Sequence, residues 1–218
     1  MEQFQANMTG EIYQYLLDMI LSLEIKPGDH IPEAQIAQKF GVSRTPVREA
    51  LRDLAQNGII NIYPRRYAEV AVFDQQRVRE LGIAKISMDR LAINLAVYYG
   101  SKVEYENLRK YAEQCYEAAK GNDTLNRVKA DMDYHYELCK TGKNRTLMDM
   151  QHTLLLQLSY LQAARCLNAE DPKEQYNTHL QIIDALYRGD AAAGRALITA
   201  PSVRFYDLTD LPRSLYEN

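Results

Sequence analysis

The sequence predicts a mostly α-helical protein in two parts: a small domain of three helices and a β-hairpin over residues 1–74, and an all-helical domain over residues 75–218. Apolar residues recur at helical spacing through most of the chain, and only the stretch between residues 59 and 73 reads as β-structure. Between residues 75 and 200 there is a single proline, so little interrupts the helices of the second part. The composition, 46% hydrophobic and 25% charged, is that of a globular protein.

Three helices are predicted in the first domain. Apolar residues at helical spacing indicate the first helix, over residues 11–23. A Lys-Pro-Gly-Asp turn separates it from a short second helix over residues 33–40, which Gly41 ends because glycine accepts the left-handed conformation. Ser43 is a good N-cap for the third helix, predicted over residues 44–57.

A hairpin follows the three helices. Two β-prone runs, residues 59–63 and 68–73, flank the sequence Pro-Arg-Arg-Tyr, which is typical of a hairpin turn. Three helices and a hairpin in this order match a winged helix-turn-helix, in which the third helix enters the major groove of DNA.

The third predicted helix has an apolar face and a basic stripe. Its apolar residues can close a core: Val47, Ala50, Leu51 and Leu54. Basic side chains lie on the other stripe and at the hairpin tip: Arg44, Arg48, Arg52, Arg65 and Arg66. An arginine in the major groove can pair with guanine, Thr45 can contact a phosphate or a thymine methyl group, and the wing can reach the minor groove or the backbone. A single exposed arginine is usually just solvated, but five arginines in one unit of helix and wing favour DNA binding.

The formal net charge of −3 does not exclude a nucleic-acid partner. Residues 1–74 contain seven Lys or Arg and ten Asp or Glu, whereas residues 39–66 contain six basic residues and two acidic ones. The positive charge is therefore concentrated where the helix and wing are predicted, on a body with little nonspecific affinity for DNA.

Six helices are predicted in the second domain, over residues 76–99, 102–119, 124–141, 145–168, 172–188 and 190–200. The last one is expected to end at Pro201, before an irregular tail. No long apolar run suggests a membrane span and no signal segment is evident, so the protein is expected to be cytoplasmic. Cys115, Cys139 and Cys166 are far apart in sequence and are interpreted as reduced core residues.

Two positions on one predicted helix suit a metal ion. Asp131 and His135 are four residues apart, so their side chains face the same way, and His179 lies on another helix. Carboxylate and imidazole together suit Zn²⁺, Ni²⁺ or Mn²⁺, and the spacing does not choose among them. Spacing alone supports a hydrogen-bonded polar pair at least as well as a metal site.

The third helix and its surroundings resemble the GntR family of bacterial transcription regulators. The string Val-Ser-Arg-Thr-Pro-Val-Arg-Glu-Ala-Leu, residues 42–51, is highly specific to that family. The resemblance implies that operator DNA is contacted by these residues: Ser43, Arg44, Thr45, Arg48, Arg65 and Arg66. Gln35 is a weaker candidate contact. The family usually has glycine where Tyr67 stands, which puts the path of the wing in question.

The second domain resembles the FCD ligand-binding domain of the FadR-type branch of the GntR family. The resemblance implies an antiparallel bundle of six or seven helices around a buried pocket, in which one Asp and three His often hold a divalent metal that binds a small carboxylate effector. Asp131, His135 and His179 match three of those ligands, and the fourth position falls on Pro201.

Three alternatives follow from the missing fourth ligand. Metal could bind through three protein ligands, His152 could substitute, or the effector could bind without metal, as in the acyl-CoA-responsive members of the branch. Lys85 and Asp89 occupy places where the family often has Arg and Glu facing the pocket, so Lys85 could pair with an effector carboxylate. A plain salt bridge between the two residues is an equal interpretation.

These observations predict a homodimeric, ligand-responsive transcription regulator, a repressor, that binds double-stranded operator DNA and senses a small organic acid. One alternative is an acyl-CoA sensor without metal. An alternative of another class is a helical-bundle metalloenzyme in which the Asp131, His135 and His179 side chains activate water. No recognisable general base or nucleophile stands beside them in the sequence, and that alternative leaves the DNA-binding motif unexplained.

Overall fold

The structure, a computed structural model, describes residues 2–165 and 171–216. For residues 2–7 it describes the backbone and not the side chains. The chain divides into two compact units, Met1–Val72 and Phe73–Asn218. The predicted boundary, after residue 74, lies two residues further along the chain.

The first unit contains three helices and one hairpin, in the predicted order. They are α1 (Glu2–Leu21), α2 (Glu33–Phe40), α3 (Arg44–Gln56), β1 (Ile60–Tyr63) and β2 (Tyr67–Val70). The two strands pair antiparallel, with Ile60 opposite Val70 and Tyr63 opposite Tyr67. This is a winged helix-turn-helix, as predicted.

The core of the first unit forms between α1 and the apolar face of α3. Val47, Ala50, Leu51 and Leu54 are all buried, as the helical spacing indicated, and Ile12, Leu16 and Ile20 of α1 are fully buried as well. Gly41 ends α2 at φ +64°, the left-handed conformation expected of it. The predicted start of α1 at residue 11 was wrong, because residues 2–10 also form helix without contributing to the apolar pattern from which the start was inferred.

The second unit contains six helices and a short 3₁₀ turn within the described residues. They are α4 (Gln75–Tyr99), α5 (Lys102–Lys120), α6 (Thr124–Thr141), α7 (Arg145–Arg165), α8 (Pro172–Tyr187), α9 (Ala191–Phe205) and the turn Arg213–Leu215. Helix α5 packs on α6 and α8, and α4 packs on α6 and α9. Fully buried Ile93, Leu108, Tyr134 and Ile183 lie in the core that these helices share.

Helix α9 runs through Pro201, so its predicted end at that residue was wrong. Proline has no N–H to donate to the carbonyl one turn earlier. The loss of that hydrogen bond was the reason for predicting that the helix ends there. The helix continues because the residues beyond have a place in the core: Tyr206 and Leu208 are buried, and Tyr206 packs closely against Gly82 of α4, where no Cβ stands in the way. The tertiary contacts outweigh the local preference.

Two of the three cysteines, Cys115 and Cys139, are buried, as expected of core residues, and burial raises the pKa of the Cys139 thiol. Cys166, also interpreted as a core residue, and the predicted end of α7 at residue 168 lie outside the described residues. None of the helices in residues 2–165 and 171–216 is long and apolar enough to cross a membrane.

Candidate functional site

The exposed side of α3 presents the polar residues singled out from the sequence. Ser43, Arg44, Thr45 and Arg48 are all exposed, because the apolar residues of the same helix point into the core. Arg52, one turn further on, is exposed as well, so the basic stripe extends along the helix.

The N-terminus of α3 is not capped by a side chain. Ser43 occupies the N-cap position, with φ −70° and ψ 170°, but its hydroxyl makes no capping hydrogen bond. A capping oxygen accepts from the second or third helical N–H, and the third residue here is Pro46, which has none. The Ser43 hydroxyl and the positive end of the helix are therefore both available to an anion.

Ser43→Ala is accordingly expected to change the free energy of unfolding by less than about 0.5 kcal/mol, because no capping bond is lost. The matched control is Asp74→Ala at the N-cap of α4, where the Asp74 carboxylate accepts from the Arg77 N–H at 2.7 Å. That variant should lose about 1 kcal/mol. Urea denaturation measures both, and an equal loss in the two variants would contradict the uncapped geometry of α3.

Arg48 is the basic residue of α3 with a described partner. Its Nε lies 3.1 Å from Glu33 Oε2 of α2, and the Arg48 side chain is 59% exposed. An exposed pair of this kind contributes only ~0–1 kcal/mol, so it positions the side chain without holding it away from DNA.

The wing turns at Arg65, not at Tyr67. Arg65 has φ +61°, so the left-handed residue of the turn lies two positions before the place where the family usually has glycine. Tyr67 instead stacks on His30, with ring centroids 3.9 Å apart, and lies 4.8 Å from the Tyr63 ring. The side chain thus has a structural role in the wing, and Arg65 and Arg66 remain exposed at its tip.

The second unit contains a cavity with a volume of about 100 Å³. Side chains from α4, α6, α7, α8 and α9 line it, and among them are Asp131, His135 and His179. All three are at most 8% exposed, although they come from different turns and helices.

These three side chains converge on one point. His179 Nε2 lies 3.4 Å from Asp131 Oδ1, and His135 Nε2 lies 3.8 Å from Asp131 Oδ2. One ligand atom from each residue lies within 4.8 Å of those of the other two. Asp131 and His135 of α6 and His179 of α8 therefore form the cluster that the sequence suggested.

Asp89 stands behind His135 and not at the cavity surface. Its Oδ2 is 3.2 Å from His135 Nδ1, near enough for an ion pair although the geometry is not that of a hydrogen bond. Lys85 Nζ, at 2.5 Å, and Gln151 Nε2, at 3.0 Å, both donate to the Asp89 carboxylate. Burial alone would raise the pKa of Asp89, but the charges of Lys85 and His135 outweigh it and hold the pKa well below its usual range.

Lys85 and Asp89 were both predicted to face the effector pocket, and only one of them does. Lys85 lines the cavity, as expected, but its ammonium already binds Asp89. Asp89 is fully buried and does not line the cavity. Its carboxylate faces His135 Nδ1, which leaves the other ring nitrogen, Nε2, on the side of Asp131 and the cavity.

Burial sets the protonation state of His179. It lowers the pKa of His179 to about 4, in spite of the opposing charge of Asp131. The ring also stacks on Tyr134, with centroids 4.0 Å apart. For Asp131, burial alone would raise the pKa, but nearby positive charge, first of all that of His135, lowers it on balance. A neutral imidazole beside an ionised carboxylate is the state in which these groups bind metal.

The donor set fits a divalent metal with three protein ligands. Nitrogen, nitrogen and oxygen donors at this separation suit Zn²⁺, Ni²⁺ or Mn²⁺. Pro201 lines the same cavity but offers no ligand atom, which leaves positions for water or a bound anion. His152 is exposed on α7 and does not line the cavity, so it does not supply a fourth ligand in this structure.

Two candidate functional residues, Arg127 and Gln175, were not identified from the sequence. Arg127 lines the cavity, and its Nη2 donates to Gln175 Oε1 at 2.9 Å, while Gln175 Nε2 donates to Asp131 Oδ1 at 2.8 Å. Arg127 lies one turn before Asp131 on the stripe that leads to His135, so the helical spacing could have identified it. Nothing in the sequence marks Gln175.

The sequence profile of the gntR family of bacterial regulatory proteins matches residues 8–70, and that of the FCD domain matches residues 84–200. The chain belongs to the GntR family. Its second unit contains the FCD domain, and the family resemblance inferred from residues 42–51 is confirmed.

Individual relatives agree with this assignment. The uncharacterized HTH-type transcriptional regulator YdhC of Bacillus subtilis is 29% identical over 141 residues, which are 64% of this chain and 63% of that protein, less than two thirds of its length. The HTH-type transcriptional repressor RspR of Escherichia coli is 24% identical over 189 residues, 87% of this chain and 83% of that protein. Among solved structures, E. coli McbR/YncC superposes with a TM-score of 0.77 at 18% identity, covering 93% of this chain and 99% of that one.

The GntR family and the relatives named above are transcriptional regulators and not enzymes, as predicted, so the metalloenzyme alternative has no support among them. The family also accounts for the basic stripe on α3, since GntR regulators bind DNA. The individual DNA contacts, the bound metal and the effector remain predictions.

Proposed function

We propose that this GntR regulator is a homodimeric repressor that binds a pseudo-palindromic operator and releases it when a small organic acid binds in the FCD cavity. The buried cluster of Asp131, His135 and His179, which lines that cavity beside cationic side chains, is the observation that supports this most strongly. Repression is also what the name of the E. coli relative RspR states for that protein.

The exposed face of α3 would read the operator. Arg44 and Arg48 would reach base edges in the major groove, where a guanidinium pairs bidentately with guanine. The Ser43 hydroxyl and Thr45, at the uncapped helix N-terminus, would contact phosphate, and Arg65 and Arg66 would contact the minor groove or its flanking backbone. A two-fold symmetric dimer would present two such faces to two half-sites.

The FCD cavity would bind a carboxylate effector. Asp131, His135 and His179 would hold a divalent metal, which supplies a Lewis-acid position for a carboxylate oxygen when bound. Lys85 and Arg127 add positive charge to the cavity wall. A volume of about 100 Å³ suits a small acid better than the acyl chain of an acyl-CoA, which is the alternative effector.

Effector binding would regulate DNA binding by population shift. A ligand changes the equilibrium between two arrangements only by its differential affinity for them. In this chain the effector would contact α8 and α9 as well as the α6 ligands, so it can favour one packing of the bundle over another.

The direct test is footprinting of the region upstream of the protein's own gene, with and without metal and candidate acids. We expect protection of a pseudo-palindrome that is lost when the effector is added. Binding that is indifferent to sequence would contradict the operator proposal. A thermal-shift screen of organic acids and acyl-CoAs, with and without a chelator, then separates a metal-dependent carboxylate effector from an acyl-CoA.

Arg127→Gln is expected to weaken binding of the acid found in that screen by about tenfold, because one charge-assisted hydrogen bond to the carboxylate is lost. Arg127→Lys should lose less, since the charge remains. Arg188→Gln, an exposed arginine at the end of α8 that does not line the cavity, is the control. Calorimetric titration measures the dissociation constants, and equal values for all variants would exclude Arg127 from the effector site.

A further inference from the structure

The effector cavity has two chemically different walls. Apart from Lys85 of α4, its ionisable groups come from α6 and α8, whereas α7 and α9 supply mainly apolar side chains. The described residues that α7 and α9 contribute are Leu155, Leu158, Ser159, Gln162, Ile198, Pro201, Ser202 and Phe205. No charged side chain stands among these residues, so a charged group of a bound ligand has to face the other helices.

The apolar wall follows from helical spacing. Ile198, Pro201 and Phe205 recur at intervals of three and four residues, which places them on one face of α9. Leu155 and Leu158 lie three residues apart on α7 and are at most 4% exposed. Both leucines belong to a buried hydrophobic cluster of the unit, and Phe205 packs against that cluster. The core therefore holds this wall in place before any ligand binds.

The hydroxyl groups of this wall already donate their protons to the helices that carry them. Ser159 Oγ donates to the Leu155 carbonyl and Ser202 Oγ donates to the Ile198 carbonyl, both at 2.8 Å. Gln162 is half-buried, so its amide keeps access to water. A second carboxylate or a row of hydroxyl groups against α7 and α9 would lose hydrogen bonds to water and find few partners there, which is unfavourable.

The polar side of the cavity can bind one carboxylate. Arg127 Nε is buried and has no hydrogen-bond partner among the described residues, while Arg127 Nη2 donates to Gln175. Lys85 and the three candidate metal ligands line the cavity with it. Glu174, which also lines the cavity, is exposed and pairs with Arg204 at 3.3 Å. The cationic side chains in the described lining thus come from α4 and α6, and none comes from α7 or α9.

We infer that the effector is a monocarboxylate with a compact apolar body, branched aliphatic or aromatic, and not a dicarboxylate or a polyhydroxylated acid. This inference rests on the proposed function, since it specifies which organic acid the cavity accepts. The carboxylate would bind on the side of Arg127, and the apolar body would pack against Leu158, Ile198 and Phe205. Burial of that body removes apolar surface from water, which favours binding roughly in proportion to the area.

The test is calorimetric titration of the full chain with six sodium salts at equal ionic strength, as purified and again after addition of Zn²⁺. Three of the anions have an apolar body (isovalerate, benzoate and phenylacetate), and three are more polar (succinate, glutarate and glycerate). We expect saturable binding of at least one apolar acid, about tenfold or more tighter than that of any polar one. The heat-capacity change on binding should be negative, because apolar surface is buried.

Leu158→Asn and Phe205→Gln each place an amide in the apolar wall, and each is expected to weaken binding of the preferred acid by about tenfold. Phe205 is half-buried, so its variant should fold even if Leu158→Asn does not. Met150→Gln, a comparable change at a methionine of α7 that is 61% exposed and does not line the cavity, should leave binding unchanged. Circular dichroism verifies that each variant is folded.

Binding of succinate, glutarate or glycerate as tight as that of the apolar acids would overturn the inferred specificity and leave a carboxylate effector in place. Unchanged affinity for the preferred acid in folded Phe205→Gln and Leu158→Asn would overturn it as well, because the acid would then not contact this wall. Absence of binding by all six acids would overturn both the specificity and the carboxylate effector of the proposed function. Failure of the specificity alone is thus distinguishable from failure of the proposed effector.

Discussion

His135→Ala is expected to abolish the divalent metal content of the protein. His135 and Asp131 lie on the same stripe of α6, and His179 faces them from α8, so the proposed site has only three protein ligands. Loss of an outer-shell partner alone lowers metal affinity by about 10- to 100-fold, so the loss of one of three direct ligands should exceed that. Elemental analysis of protein purified without a chelator or a His-tag measures the effect and identifies the metal.

The matched control is His152→Ala, which removes an exposed histidine of α7 that does not line the cavity. It should retain the full metal content. Asp89→Asn should fall between the two variants, because it weakens the orientation of His135 and keeps all three ligands. Wild-type protein that contains no metal and gains none on titration with Zn²⁺, Ni²⁺ or Mn²⁺ would contradict the metal site and favour the metal-free effector.

Helical periodicity predicted the site where the residues share one helix. Asp131 and His135 could be paired from their spacing, and the same spacing includes Arg127. The spacing along one helix gives no information about contacts between helices. Gln175 donates to Asp131 although the two are 44 residues apart in sequence, and Gln151 donates to Asp89 across 62 residues. Contacts of that range depend on how the helices pack, and no local pattern encodes them.

The same distinction explains the errors in the fold. Core residues of α3 were predicted because a 3.6-residue period is a local property, and burial confirms each of them. The end of α9 was wrong because it depends on Tyr206 packing against Gly82, two residues 124 positions apart in the sequence. Asp89 was assigned to the cavity wall from the family resemblance, which does not contain its burial behind His135.

The wing forms a paired hairpin although tyrosine stands at position 67, where the family usually has glycine. That substitution put the path of the wing in question, and in the structure β1 and β2 pair antiparallel while Arg65 supplies the left-handed residue of the turn. Tyr67 stacks on His30, which a glycine could not do. The two wing arginines are therefore presented on a hairpin that side-chain packing stabilises.

Arg44→Ala and Arg48→Ala are each expected to weaken operator binding by about 1–3 kcal/mol, because each would lose a bidentate contact with a guanine in the major groove. Both side chains are exposed on α3, so their removal should leave the unit folded. Binding titrations against the wild-type operator and single-base variants measure the cost, and discrimination should be relaxed at one base pair for each variant. A phosphate contact would instead lower affinity for all sequences and reduce the salt dependence.

Two controls separate base recognition from simpler effects. Glu33→Gln removes the ion pair with Arg48 and keeps the arginine, so it should retain base discrimination if Arg48 acts on DNA directly. Arg188→Ala makes the same change of net charge in the other unit and should alter affinity little. If Arg44→Ala and Arg48→Ala both bind the operator as the wild type does, α3 is not the reading helix. Sequence recognition would then have to come from the wing, where Arg65 and Arg66 are the remaining exposed cations.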